Sequence, residues 1–238
     1  MSRVTGLPRH RAIVALDIEQ STGRPDGVKA ELRGELYEMF DKALRSGGIT
    51  RRHRDCFIDR GDGILALIRP VDLVPKVLLL TSVMPALTRL LTDYDTSLPR
   101  ARRPQRQLRV RAVVHAGEIL YDDHGCFGEA LDIAFRLLDA RPVKKALRVA
   151  AEPLTLVISD ETYRGIVRHG YDGIDQHTFL PQVTVQVAGH RHQGWIHVPR
   201  QPAGHTVTDM ARYRQLVRPV PEIAVARESL PGVGQTLS

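Results

Sequence analysis

The apolar residues of the chain fall into two kinds of segment, short continuous runs and longer stretches with helical spacing. A short continuous apolar run is typical of a strand that is covered on both faces. The strands predicted in this way cover residues 11–18, 64–68, 108–115 and 154–159. Apolar residues spaced three or four positions apart indicate helices. The predicted helices cover residues 28–44, 73–91 with an interruption near Pro85, 129–140 and 160–168.

Turn-forming residues set the connections between these elements. The segment Asp59-Arg-Gly-Asp-Gly63 predicts the turn of a β-hairpin whose first strand is expected at 56–58. Residues 116–128 contain three glycines and predict a loop or a short ribbon. The chain is then expected to close with strands at 178–187 and 195–198. This is an α+β order, βαββαβ with C-terminal αβ additions, and its first six elements follow the ferredoxin-like order.

The same patterns predict one folded domain with an extension at each end. Residues 11–199 hold all the predicted strands and are expected to form the domain, after a short N-terminal extension at 1–10. From Pro199 onward the sequence is weakly patterned, so residues 200–238 are predicted to be a tail with at most one helical turn, around 210–217. A chain of 238 residues with 42% hydrophobic content suits a single domain of this kind.

The positive charge of the chain raises the question of nucleic-acid binding, since the net charge is +7 and the isoelectric point about 9.8. Much of this charge lies in two short runs, at 51–54 and 100–106, and no aromatic residue interrupts them as a base-stacking surface would require. Nucleic acid is therefore not the expected partner, and basic surface equally suits a polyphosphate substrate. The sequence also lacks an apolar run long enough for a membrane helix, which predicts a cytoplasmic protein without membrane contact.

Two aspartates are the first candidates for chemistry. Asp17 stands at the end of the first predicted strand, and Asp62 stands in the predicted hairpin turn. Neighbouring strands would bring both carboxylates to one end of the sheet, where they could bind two divalent cations and so activate a hydroxyl beside a triphosphate. Each aspartate also has a purely structural interpretation, as a turn residue or as a cap of the following loop.

Asp132 and Arg136 form a second candidate pair, four residues apart on one predicted helix and therefore on one face. An ordinary surface ion pair explains this spacing, with a contribution of about 0.3–0.5 kcal/mol. An arginine presented to developing phosphate charge explains it as well. The spacing alone does not decide between the two interpretations.

Six segments resemble, in order, the motifs of class III adenylate and guanylate cyclases. They are RAIVALDIEQST at 11–22, RGDGILA at 60–66, VRAVVHAGE at 110–118, FGEALDIAFRL at 127–137, VISDETY at 157–163 and the closing VAGH and WIHV at 187–198. Each segment alone is a weak signal, whereas the ordered set is fairly specific. The resemblance implies a nucleotidyl cyclase that converts a nucleoside triphosphate to a 3′,5′-cyclic nucleotide and pyrophosphate.

The resemblance also implies a site shared between two subunits of a head-to-tail homodimer. One subunit would bind two Mg²⁺ or Mn²⁺ ions through Asp17, Asp62 and the main-chain carbonyl of Ile18. The other subunit would supply Arg136 to the transition state, with Asp132 in place of an orienting asparagine.

The sequence departs from the family pattern where the base is read. Ile58 and Gly125 stand where adenylate cyclases have a lysine and an aspartate, and Arg191 lies close enough to replace a phosphate-binding lysine whose position Ala188 holds. This pattern resembles the bacterial pyrimidine cyclases of Pycsar antiphage systems, which implies UTP or CTP as substrate and a downstream effector with a cyclic-nucleotide-binding domain. Two alternatives stay open, a catalytically silent nucleotide-binding module and a purine (ATP) cyclase.

Overall fold

A computed structural model describes residues 6–199 of the chain. The first half begins with the elements β1 (Arg9–Ile18), α1 (Asp26–Ser46), β2 (Ile58–Asp59), β3 (Gly63–Ile68), α2 (Met84–Ser97) and α3 (Arg103–Arg106). The second half contains β4 (Val110–Asp122), β5 (Gly125–Phe127), α4 (Glu129–Leu138), α5 (Arg141–Val149), β6 (Leu154–Ser159), α6 (Asp160–Gly165), β7 (Phe179–Val187) and β8 (His190–His197). Short 3-10 turns occupy 51–53, 167–169, 171–173 and 176–178.

Eight strands form one mixed sheet. Seven of them follow the order β2-β3-β1-β4-β6-β8-β7, and β5 pairs with the far end of β4. β1 is antiparallel to both β3 and β4, whereas β4 and β6 run parallel. The β2-β3-β1-β4 part is the ferredoxin-like arrangement, so the predicted α+β fold with C-terminal αβ additions is confirmed.

Helices cover both faces of this sheet, which explains why its central strands are apolar throughout. On one face, Leu16 of β1 packs in a cluster with Phe40 of α1 and Leu87 of α2. On the other face, Ile13 of β1 packs in a cluster with Leu137 of α4. Because alternate residues of a strand point to opposite faces, Asp17 lies on the α4 side of the sheet.

Prolines and glycines account for several differences from the predicted boundaries. Pro85 lies in the first turn of α2, which follows a π-helical turn at Leu79–Val83 instead of continuing a helix from residue 73. Proline has no N–H for the previous turn, and the backbone accommodates it by a wider turn, with helical dihedral angles at Leu78, Val83 and Met84. The helix predicted at 129–140 ends at Leu138, and Pro142 lies in the first turn of α5, an additional helix that was not predicted.

Two strands are longer than predicted. β4 continues to Asp122, beyond the expected end at residue 115, and pairs with β5 as a ribbon. Gly117 lies within this strand. A glycine is required there because a Cβ would lie 2.5 Å from the Cβ of Ala130 on α4. β8 begins at His190 rather than at residue 195, after a turn in which Ala188 and Gly189 both have positive φ values, 49° and 82°.

The end regions add little to this description. β1 begins at Arg9, two residues before the expected start of the domain. The helical turn predicted around 210–217 lies outside the described residues. None of the helices within residues 6–199 is long and apolar enough to cross a bilayer.

Candidate active site

The register of β1 against β3 brings Asp17 and Asp62 together. Asp17 lies opposite Gly63, and the Ile18 N–H donates a 3.0 Å hydrogen bond to the carbonyl oxygen of Asp62. The N–H and C=O of one strand residue point to the same side, so the Ile18 carbonyl is also directed toward the hairpin turn. Two carboxylates and one main-chain carbonyl therefore lie at one end of the sheet.

Gly63 permits this close approach. A Cβ at this position would overlap the carbonyl oxygen of Leu16, at less than any van der Waals separation. Every other residue type would therefore push β3 away from β1 and separate the two carboxylates. The glycine of the hairpin motif is a packing requirement of the site rather than only a turn signal.

The Asp17 carboxylate lies in an unfavourable electrostatic environment. Burial raises its pKa to about 6, the Arg111 guanidinium opposes this increase, and the neighbouring Asp62 carboxylate adds to it. The side chain of Asp17 keeps 20% exposure, so solvent still reaches it. A carboxylate that is partly buried beside a second carboxylate is a site that a cation would stabilise.

Arg111 of β4 is a member of the site that the sequence did not reveal. It lies opposite Asp17 in the β1–β4 register and forms an ion pair with the Asp17 carboxylate. Its other terminal nitrogen lies 3.4 Å from Asp139 at the end of α4, and its Nε is buried without a hydrogen-bond partner among residues 6–199. The only signal in the sequence was a charged residue inside an otherwise apolar strand.

These donor groups fit hard divalent cations. Carboxylate and carbonyl oxygens are the ligands that Mg²⁺ prefers, and Mn²⁺ accepts the same set. Residues 6–199 contain no cluster of three or more histidine, cysteine, aspartate or glutamate side chains suited to a metal ion. The candidate ligands are Asp17, Asp62 and the Ile18 carbonyl, and phosphate oxygens and water would complete the coordination.

Paired charges continue beyond Asp17 at this end of the sheet. Arg109 donates a 3.0 Å hydrogen bond to the carbonyl oxygen of Ala150 at the end of α5, and its Nε lies 3.5 Å from Glu19. Arg148 of α5 lies 3.8 Å from the same carboxylate. These arginines therefore compensate partly buried carboxylates, as Arg111 does for Asp17.

Asp132 and Arg136 are exposed on α4 and do not pair with each other. No ion pair between them occurs in the described part of the chain, so the surface-pair interpretation of their spacing was wrong. Phe135 lies next to Arg136 and is partly buried. The Arg60 guanidinium of the hairpin lies over the Phe135 ring, 4.2 Å from its centroid. The hairpin thus contacts the region of α4 that carries the predicted arginine.

The remaining predicted positions lie at different distances from this region. Ile58 of β2 pairs with Leu65 and packs on the α4 face of the sheet. Gly125 begins β5 and is exposed at the tip of the ribbon, opposite Asp122. Arg191 is exposed near the start of β8, and no described contact joins it to Asp17 or Asp62.

Comparison with known proteins gives structural neighbours only. No protein-family model matches the sequence, and no curated protein sequence matches it either. An adenylate/guanylate cyclase/hydrolase from Silicibacter pomeroyi is 18% identical, with a TM-score of 0.57 over 82% of this chain and 100% of that one.

Two further structural neighbours are also cyclases of low sequence identity. The guanylyl cyclase Cya2 is 14% identical, with a TM-score of 0.55 over 84% of this chain and 98% of that one. A bacterial light-regulated adenylyl cyclase is 15% identical, with a TM-score of 0.58 over 90% of this chain and 59% of that one. The chain therefore has the fold of class III cyclase catalytic domains. At these identities the likeness concerns the fold alone.

Proposed function

We propose that this protein is a nucleotidyl cyclase that converts a nucleoside triphosphate to a 3′,5′-cyclic nucleotide and pyrophosphate. The observation that carries the proposal is the juxtaposition of the Asp17 and Asp62 carboxylates, with the Ile18 carbonyl directed at the same point. The fold of the structural neighbours and the ordered motifs of the sequence support the same activity.

Asp17, Asp62 and the Ile18 carbonyl would hold two Mg²⁺ or Mn²⁺ ions. When bound, these ions would lower the pKa of the ribose 3′-hydroxyl and neutralise the triphosphate. The 3′-oxygen forms a bond to the α-phosphorus, the bond to the pyrophosphate oxygen breaks, and the hydroxyl proton leaves to solvent. Arg111 partly compensates the charge of Asp17 in the free protein, and we propose that its guanidinium turns from that carboxylate to a phosphate oxygen when the triphosphate binds.

The arginine is proposed to come from a second subunit. Asp132 and Arg136 point away from the sheet on the exposed side of α4, whereas Asp17 lies within the sheet on its α4 face. We propose that Arg136 acts on the phosphates bound by the partner in a homodimer, with Asp132 orienting the nucleotide. Each dimer would then contain two shared sites. Arg191 is proposed to contact phosphate from the closing hairpin.

We propose a pyrimidine substrate, UTP or CTP. The apolar Ile58 side chain and the absent side chain of Gly125 offer no hydrogen bonds to a purine edge. The resemblance to antiphage pyrimidine cyclases extends this proposal to a biological role. The product, cUMP or cCMP, would act as a second messenger that is read by an effector with a cyclic-nucleotide-binding domain.

Incubation of the purified protein with each ribonucleoside triphosphate, in Mg²⁺ and in Mn²⁺, tests the proposal. We expect a cyclic nucleotide from UTP or CTP, no product from Asp62→Ala, and full activity from Asp72→Ala, an exposed carboxylate in the loop after the far end of β3. Formation of cyclic AMP would support the proposed cyclase activity and contradict the proposed pyrimidine substrate. No product from any triphosphate, with nucleotide binding intact, would favour the catalytically silent module.

Mixing two inactive variants tests the shared site. Asp17→Ala and Arg136→Ala chains should each be inactive, and their heterodimer should recover one complete site. Recovered activity on mixing is therefore the expected result. An inactive mixture, with exchange of labelled subunits demonstrated, would contradict the proposal that Arg136 acts across the dimer.

A further inference from the structure

Arg60 lies in the hairpin that carries Asp62, yet none of the chemistry above uses it. Its guanidinium is held on the ring of Phe135, 4.2 Å from the centroid, and the side chain is exposed. The carboxylate of the preceding residue, Asp59, forms an ion pair with Arg33 and accepts a 2.7 Å hydrogen bond from the Gly61 N–H. No carboxylate pairs with Arg60 in the described part of the chain, so its donors face solvent.

The position of Arg60 connects three elements on the α4 face. Its charge acts on the Cys126 thiol of β5, opposing the effect of burial, which raises the pKa of that thiol. Ile58, Cys126 and Phe135 all pack against the same apolar cluster. The guanidinium therefore lies over the helix that carries Asp132 and Arg136, on the face of the sheet to which Ile58 and Cys126 also belong.

The chemistry of a guanidinium selects among the bases. Arginine has only N–H donors and no acceptor, so it pairs with carbonyl oxygens and ring nitrogens rather than with exocyclic amino groups. Uracil presents a carbonyl where cytosine presents an amino group, and guanine and adenine differ in the same way. Phe135 adds an aromatic surface that fixes the plane of the guanidinium.

We propose that Arg60 is the specificity-determining residue of the site and that it donates to the 4-carbonyl of a uracil base, which makes UTP the substrate. Ile58, two residues before Arg60, stands where the resemblance gives adenylate cyclases a lysine, and its apolar side chain offers no hydrogen bond to a base. This inference rests on the proposed function, since it names the base that the cyclase accepts.

The measurement is kcat/KM for UTP, CTP, GTP and ATP in the wild-type protein and in Arg60→Gln. Glutamine offers both a donor and an acceptor, so it accepts the cytosine amino group as readily as the uracil carbonyl. We expect the ratio of UTP to CTP to fall by about 10-fold or more. Arg60→Lys keeps the charge without the planar donors and should retain only part of the preference. Arg89→Gln, an exposed arginine on α2, is the matched control and should leave the ratio unchanged.

Three outcomes would overturn the inference. A wild-type preference for CTP, GTP or ATP excludes uracil as the selected base. An equal loss of kcat/KM for all four triphosphates in Arg60→Gln would mean that the guanidinium only supports the hairpin. An unchanged ratio would mean that it contacts no base.

Failure of the proposed function gives a different result. If the wild-type protein turns over no triphosphate, the cyclase proposal fails, and calorimetric binding of UTP and CTP in Ca²⁺ still decides the role of Arg60. Weaker UTP binding in Arg60→Gln, with CTP binding unchanged, supports the inference. Equal UTP binding in the two proteins overturns it.

Discussion

Substitution of Asp17 by asparagine probes the electrostatic cost of the paired carboxylates. Burial raises the pKa of Asp17 to about 6 from an ordinary value of 3.8, and Arg111 only partly compensates. The charged carboxylate is therefore less stable in the folded state than in the unfolded chain. The pKa difference corresponds to a free energy of about 3 kcal/mol in favour of the neutral form. Because solvent partly reaches the group, we expect a change of about 1–2 kcal/mol in the free energy of unfolding.

The sign of the pH dependence follows from the raised pKa. A carboxyl group of this kind stabilises the fold below its unfolded value of 3.8, and that contribution is lost as the pH rises through about 6. Asp17→Asn has no charge to gain, so it should exceed the wild-type protein in stability at pH 7.5 without metal. The gain should shrink as the pH falls toward 4. Divalent cations should stabilise the wild-type protein and leave the variant unaffected.

Urea unfolding followed by circular dichroism, with a chelator and at several pH values, measures these differences. Asp59→Asn is the matched control in the same hairpin, because the Arg33 partner lowers the pKa of Asp59 and its loss should destabilise the protein. A variant Asp17→Asn that is less stable than wild type at pH 7.5, or whose gain does not depend on pH, would refute the electrostatic reasoning. Loss of turnover in the same variant would show that the Asp17 carboxylate lowers the stability of the protein but is required for its activity.

Three further substitutions test the packing of the fold. Gly63→Ala should lower the free energy of unfolding by about 2 kcal/mol or more, because its Cβ meets the Leu16 carbonyl, whereas Gly34→Ala on the open side of α1 should raise it by about 0.5–1 kcal/mol. Equal effects of the two alanines in urea unfolding would contradict this. Tyr121→Phe removes a 2.6 Å hydrogen bond to Asp55, which Arg11 and Arg69 also contact, and should cost about 1 kcal/mol. An unchanged urea midpoint would mean that Tyr121 does not anchor the ribbon.

The order of the elements could be predicted because it depends on local pattern. The continuous apolar run at 11–18 predicted a strand that is covered on both faces, and β1 at Arg9–Ile18 is such a strand. The βαββ order was enough to suggest that Asp17 and Asp62 lie together, since a strand of the following hairpin can lie beside the first strand, as β3 lies beside β1. Their role as metal ligands stays a prediction, as do the boundaries of the domain.

One helix was missed, and the reason for one glycine was not visible in the sequence. The helix predicted at 129–140 does end before Pro142, at Leu138, but α5 was not predicted, although a proline is well suited to the first turn of a new helix. The glycines at 116–128 predicted a loop or a short ribbon, and the ribbon forms, whereas Gly117 itself is small because α4 crosses β4 closely. In both cases only the surrounding structure identified the role of the residue.

The sequence by itself determined the fold class and the end of the sheet at which the carboxylates lie, since hydrophobic periodicity and turn chemistry act over a few residues. Only the tertiary structure decided what surrounds them. Arg111 reaches Asp17 across 94 positions of sequence through the β1–β4 register, and Arg60 reaches Phe135 through the packing of α4 on the sheet. Long charged side chains choose their partners from whatever the register and the helix packing bring near, and neither is a property of local sequence.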